Sequence, residues 1–379
     1  MREMTSRERF RRALNHLEPD RIPIDVGQDF HNGLHEVAYR NLLQYLGETD
    51  DIQFYDQVQH LAVCKESVLN RLRADTRYVF AGAEAGYELR IEPDKSWWDE
   101  WGVRRKNIGF YDDNIAQPLA GCTLEDIKKY RMPNPTDPAR FVGLRERAKT
   151  FYDHTSYAVM GGNAASLFYL SSELMGYQEY MERLVYEPDL IEALVDRILE
   201  WEVDFFNAYL EEVGDVIEVV WMGDDWGIQT GPIMSPKMFR KIFKDRYRIF
   251  IDAVRKKTNA KVALHSCGSV LWIMGDLIDV GIDVLHPLQA TAAEMGNPAR
   301  IKEMYGDRLV FYSNISNQSI LPQGTPDEVR AEAKNKIKYL APGGGYIFSA
   351  GHNIQADVPP ENIIALFDTA YQYGRYPIG

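Results

Sequence analysis

Eight short apolar runs, each followed by a stretch of helical character, constrain this chain more than any other feature. They are Ile22-Pro23-Ile24, Arg77-Tyr78-Val79-Phe80, Tyr157-Ala158-Val159-Met160, Ile217-Glu218-Val219-Val220-Trp221, Val262-Ala263-Leu264, Ile282-Asp283-Val284-Leu285, Leu309-Val310-Phe311-Tyr312 and Tyr346-Ile347-Phe348. Brief apolar runs separated by helix-length polar segments are the pattern of buried strands joined by helical crossovers in a parallel sheet. Eight such units predict an α/β fold of the (β/α)8 TIM-barrel type.

Helix-start signals stand where that reading needs them. Thr325-Pro326-Asp327-Glu328 sets a capping threonine, a first-turn proline and a third-position glutamate ahead of a helix running to about Leu340. Ser235-Pro236 opens a helix after the fourth strand in the same way. Thr5-Ser6-Arg7-Glu8 is a further capping box, and it predicts a helix over 5–18, ended by Pro19, that closes the bottom of the barrel. Between strands 2 and 3, about 82–138, lies an irregular stretch centred on Trp97-Trp98-Asp99-Glu100-Trp101, read as a strand-containing insertion over the barrel mouth. With no internal repeat and no linker, residues 1–379 are expected to form one elaborated domain.

Charge and cysteine content limit the setting. Acidic residues outnumber basic ones by 56 to 43, and a formal charge of -13 disfavours nucleic acid as a partner. No run is long and apolar enough to span a bilayer, and the first residues lack the apolar core of a signal peptide, so a cytoplasmic location is expected. Three widely spaced cysteines, Cys64, Cys122 and Cys267, cannot build a disulfide framework and suit a reducing compartment.

Catalytic groups of such barrels sit on loops that leave the carboxyl ends of the strands. Here those loops carry Gln28 and His31 after strand 1, Asn163 after strand 3, Asp224, Asp225 and Gln229 after strand 4, Gln289 after strand 6, and Asn314 after strand 7. Strand 5 runs straight into His265-Ser266-Cys267-Gly268, where an imidazole and a thiol two residues apart can turn toward one metal ion. Strand 8 ends similarly, in Gly351-His352-Asn353.

Over nearly its whole length the chain resembles the uroporphyrinogen decarboxylase-like superfamily. The resemblance is carried by Thr5 to Leu14 with Pro19-Asp20-Arg21-Ile22-Pro23, and by Met222-Gly223-Asp224-Asp225-Trp226-Gly227. Leu264-His265-Ser266-Cys267-Gly268 and Val358-Pro359-Pro360-Glu361-Asn362 extend it. It implies a TIM barrel with one of two chemistries, decarboxylation of tetrapyrrole acids or zinc-dependent methyl exchange with a corrinoid. The decarboxylases resemble one another in an arginine-rich segment after the first strand that grips substrate carboxylates, whereas this chain reads Asp25-Val26-Gly27-Gln28-Asp29-Phe30-His31-Asn32 there. The methyltransferases have a His-x-Cys pair, matched by His265 and Cys267, and a further cysteine after the last strand, where this chain has His352.

The resemblance thus implies a zinc ion held by His265, Cys267 and His352. One thiolate in place of two leaves a more Lewis-acidic metal, suited to polarising an ether oxygen. The expected reaction is O-demethylation: a methoxylated, aromatic substrate yields its methyl group to the cobalt(I) of a corrinoid, with Asp224 or Asp225 as acid or fourth ligand. Gln28, His31, Asn163, Gln229, Gln289 and Asn314 are expected to bind substrate. No Asp-x-His-x-x-Gly corrinoid motif is present, so the corrinoid is expected on a partner protein. The alternatives are methylation of a thiol of the coenzyme M type by a methylcorrinoid, and a uroporphyrinogen decarboxylase-type lyase.

Overall fold

In the computed structural model, which describes residues 3–313 and 315–378, eight parallel strands surround one interior. They are β1 (residues 22–24), an extended segment whose parallel pairing is the single bridge from Ile24 to Phe348, and β2 (Thr76–Val79), β3 (Ala158–Gly161), β4 (Val219–Gly223), β5 (Lys261–His265), β6 (Val284–His286), β7 (Val310–Tyr312) and β8 (Tyr346–Ile347). Strands β4 to β8 are neighbours in sequence order, and β2 pairs with β3. A few backbone hydrogen bonds complete the ring: Asp75 N to Ile24 O and Glu218 N to Val159 O, both 2.8 Å, and between β1 and β8 Asp25 N to Phe348 O and Phe348 N to Pro23 O, both 2.9 Å. The third strand bends after Gly161 and resumes at Ala164–Ala165, which pairs with Trp221 and Met222 of β4. Gly162 permits the bend, because a Cβ there would lie 2.2 Å from the Phe80 ring.

The interior is a packed core of side chains from alternate strand positions, among them Tyr78, Met160, Trp221, Ala263, Val310, Tyr312 and Ile347. Phe10, Ala13 and Leu14 of the helix Ser6–Leu14 join it from below. That helix has the expected capping box between Thr5 and Glu8 but stops four residues before position 18. Asn15 Nδ2 turns back onto Arg11 O, and His16 adopts a left-handed φ of 54°. Ion pairs fasten it: Arg9 to Asp20 and Asp75, and Arg11 to Glu218, a buried strand-end carboxylate thereby satisfied.

Within residues 82–138 an antiparallel sheet forms from Ser96–Trp98, Arg104–Asn107 and Asp112–Ala116. Its last turn is tied to the barrel. His60 Nε2 meets Asp112 Oδ1 at 2.9 Å, His35 Nε2 meets Phe110 O at 3.1 Å, and Gln355 Nε2 donates to the Tyr111 hydroxyl at 2.5 Å. Tyr111 of the insertion thereby reaches the loop after β8. No helix among the described residues is long and apolar enough to cross a membrane.

Candidate metal centre

Strand register sets the first ligand. His265 closes β5 between Gly223 of β4 and His286 of β6. Beyond it the chain is held residue by residue. Ser266 N donates to His286 O at 2.7 Å, Cys267 N to Asp225 Oδ1 at 2.7 Å, and Gly268 N to Gln289 Oε1 at 2.7 Å. This curl returns the thiol to the imidazole, with Cys267 Sγ 3.4 Å from His265 Nε2. On the other side Asn317 Nδ2 donates to the carbonyls of His352 and Asn353, at 2.8 and 2.7 Å, and fixes the loop after β8. The His352 ring stands 5.1 Å from that of His265, centroid to centroid.

Ligand atoms of His265, Cys267 and His352 all lie within 4.8 Å of one another. Nitrogen and sulfur ligands of a tetrahedral zinc ion lie roughly 3.5 Å apart, so the donor types and the His265–Cys267 separation fit zinc and leave a fourth position open. The other two cysteines are buried elsewhere, and neither joins this group. Burial pushes both imidazoles down, His265 and His352 to about 3, so each is neutral and ready to ligate. Burial, reinforced by Asp225, pushes the Cys267 thiol well up; a bound cation acts in the opposite sense.

Two further histidines support the group. The His31 ring stacks on His265 at 4.4 Å, and Gly223 makes room for it, since a Cβ at that position would lie 2.4 Å from His31 Nε2. His286 Nδ1 lies 2.8 Å from His265 Nδ1. A histidine followed by proline reads as a loop brace in sequence, and only the register of β5 and β6 reveals its position.

The two adjacent carboxylates part company. Asp225 is half-exposed beside the ligands, its Oδ1 3.8 Å from His265 Nε2. Surrounding protein raises its carboxyl, while the Cys267 N–H and His352 oppose the rise. Asp224 points away as a helix cap. Its carboxylate accepts from Ser166 Oγ, the backbone N–H groups of Leu167, Phe168 and Tyr169, and the Tyr247 hydroxyl, at 2.6 to 3.0 Å. Burial raises it to about 6 against these donors. With both oxygens engaged at the start of the helix Phe168–Met175, Asp224 is corrected from candidate acid to structural anchor.

Most of the amides expected to bind substrate have protein partners. Gln28 donates to Cys64 O at 3.0 Å, Asn163 accepts from Ala81 N at 2.9 Å, and Gln229 donates to Thr291 O at 2.7 Å. Gln289 bridges Gly268 N and Gln229 Oε1, so it braces the ligand loop. Asn314 lies outside the described residues. Sequence reasoning missed Tyr111, whose hydroxyl accepts from Gln355 Nε2 beside the loop that carries His352.

Known proteins bear on this geometry. The family model described as uroporphyrinogen decarboxylase (URO-D) matches residues 113–373, more than half of the chain. The chain is 30% identical over 204 residues to the methylcobamide:CoM methyltransferase MtaA of Methanosarcina barkeri, a match covering 54% of this chain and 55% of the relative. It thus spans about half the length of that relative. It is 24% identical over 390 residues to the uroporphyrinogen decarboxylase of Coxiella burnetii, covering 97% of this chain and 95% of the other. Among solved structures, a methyltransferase from Methanosarcina mazei superposes with a TM-score of 0.69 at 21% identity, over 98% of this chain and 99% of that one, and so shares its fold. By its barrel and by a family match that runs from the insertion to the last helix, the chain belongs to the uroporphyrinogen decarboxylase (URO-D) family.

Proposed function

We propose that this protein is a zinc-dependent methyltransferase that moves a methyl group from a methoxylated, aromatic substrate to a corrinoid carried by a partner protein. The observation that supports this reading is the convergence of His265, Cys267 and His352 at the rim, with Asp225 beside them. When bound, zinc supplies a Lewis acid for the ether oxygen. His265, Cys267 and His352 hold it through two neutral nitrogens and one thiolate, and leave a position for substrate. Asp225, beside the ligands and with its carboxyl raised above the ordinary range, is the acid that protonates the departing oxygen.

A second reading is methylation of a thiol by a methylcorrinoid, favoured by the similarity to a protein named as a methylcobamide:CoM methyltransferase. A single thiolate ligand supports the first reading over it, because weaker electron donation to the metal favours leaving-group activation. Metal analysis and two assays decide. About one zinc per chain and methylcobalamin formed from cob(I)alamin with a methoxyarene, methanol or methylamine panel are expected. Thiol methylation from methylcobalamin with no activity in that panel selects the second reading. Metal-independent conversion of uroporphyrinogen to coproporphyrinogen would overturn both.

A further inference from the structure

Zinc ligation through His265 Nε2 requires that nitrogen to be unprotonated, and a neutral imidazole then carries its proton on Nδ1. His265 Nε2 is the nitrogen that faces Cys267 Sγ and Asp225, at 3.4 and 3.8 Å. Its Nδ1 lies 2.8 Å from Nδ1 of His286. Of two nitrogens that close, one donates and the other accepts.

We infer that His286 is a positioning residue that accepts the Nδ1 proton of His265, fixing the tautomer and the ring plane that turn Nε2 toward the metal. The inference rests on the zinc reading of the same site. His286 is fully buried and immobilised by strand pairing, its carbonyl accepting from Ser266 N. With its own Nδ1 accepting, it carries its proton on Nε2, a buried atom without a hydrogen-bond partner among the described residues. Edge-on rings of Trp221 and Tyr312, with centroids 5.8 and 5.3 Å away, enclose it. An unpartnered Nε2 is the cost of the arrangement, and it marks the side chain as serving its other end.

The acceptor is also chemically unusual. Metal-bound histidines commonly donate to a carboxylate or a carbonyl, which makes the ring a stronger ligand. A neutral imidazole draws the proton less strongly than an anionic carboxylate does. His265 is therefore a weaker electron donor, and the centre is more electrophilic than the same three ligands backed by a carboxylate.

The test uses the full chain. Competition with a chromophoric chelator measures zinc affinity for wild type, H286F and H286Q, with thermal unfolding of the metal-free proteins as the folding control. H286F is expected to weaken zinc binding by roughly 10–100-fold. H286Q, which retains an acceptor oxygen, is expected to recover most of the loss. Unchanged affinity in folded H286F overturns the inference. Independently of any variant, 15N-histidine NMR of the zinc-loaded wild type reads the tautomers; His265 protonated on Nδ1 and His286 on Nε2 are expected, and the reverse overturns the inference. Wild-type protein that takes up no zinc overturns the metal reading itself, and this inference with it.

Discussion

The backbone N–H of Cys267 donates to Asp225 Oδ1 across 2.7 Å, so the thiol donor and the nearest carboxylate are placed by one hydrogen bond. Asparagine at position 225 keeps that acceptor and removes the ionisable proton. Asp225→Asn is therefore expected to retain about one zinc per chain while methyl transfer falls about 10²-fold or more. Zinc analysis beside kcat/KM distinguishes this from a ligand role, in which the metal is lost as well.

The donor set makes its own prediction. Cys267→Ser combined with His265→Ala is expected to abolish zinc binding with the barrel intact, as judged by circular dichroism. His352→Cys restores a second thiolate and is expected to raise thiol methylation relative to ether cleavage, with the ratio of the two rates as the readout.

Metal uptake will be coupled to proton release, with a definite sign. The Cys267 thiol is held well above its ordinary range by burial, so it is protonated at neutral pH and must lose that proton to ligate. His265 and His352, held near 3, have none to lose. Zinc affinity is expected to rise about tenfold per pH unit between pH 6 and 8, with one proton released per ion. Calorimetry in buffers of different ionisation enthalpy measures it, and release of two or more protons contradicts the assignment.

Asp224 separates stability from chemistry. Its removal strands three backbone N–H groups and the Tyr247 hydroxyl in a buried setting. Asp224→Ala is expected to destabilise the fold by about 2–4 kcal/mol in denaturant unfolding and to leave zinc stoichiometry unchanged.

At position 223, alanine places a methyl group 2.4 Å from His31 Nε2. Gly223→Ala is expected to displace the His31 ring from His265 and weaken zinc binding about tenfold. His31→Ala in the same background should recover part of the loss by making room, which an affinity titration of the double variant checks.

Strands buried on both faces, such as Val262-Ala263-Leu264, declare themselves as apolar runs, and for that reason the barrel was legible. His265, Cys267 and His352 were legible too, because rim positions follow from strand ends. Asp224 and Asp225 were not separable. Their difference depends on a helix start at Phe168, more than fifty residues earlier, which no local pattern of the Asp-Asp pair encodes. Gln289 was not legible as a brace of the ligand loop, because a loop-bracing amide and a substrate-binding amide look alike until partners are counted.

The ring is joined where β1 meets β8, by the bonds from Asp25 N to Phe348 O and from Phe348 N to Pro23 O, and Phe10 and Leu14 press into the same interior as Ile347. During synthesis, then, the early helix and first strand meet Asp75, Tyr78 and Met160 by the third strand, but their last partners, Ile347 and Phe348, come only near the end of the chain. Until then ribosome-bound intermediates leave part of the apolar face of Phe10, Ala13 and Leu14 uncovered, a handle for a chaperone.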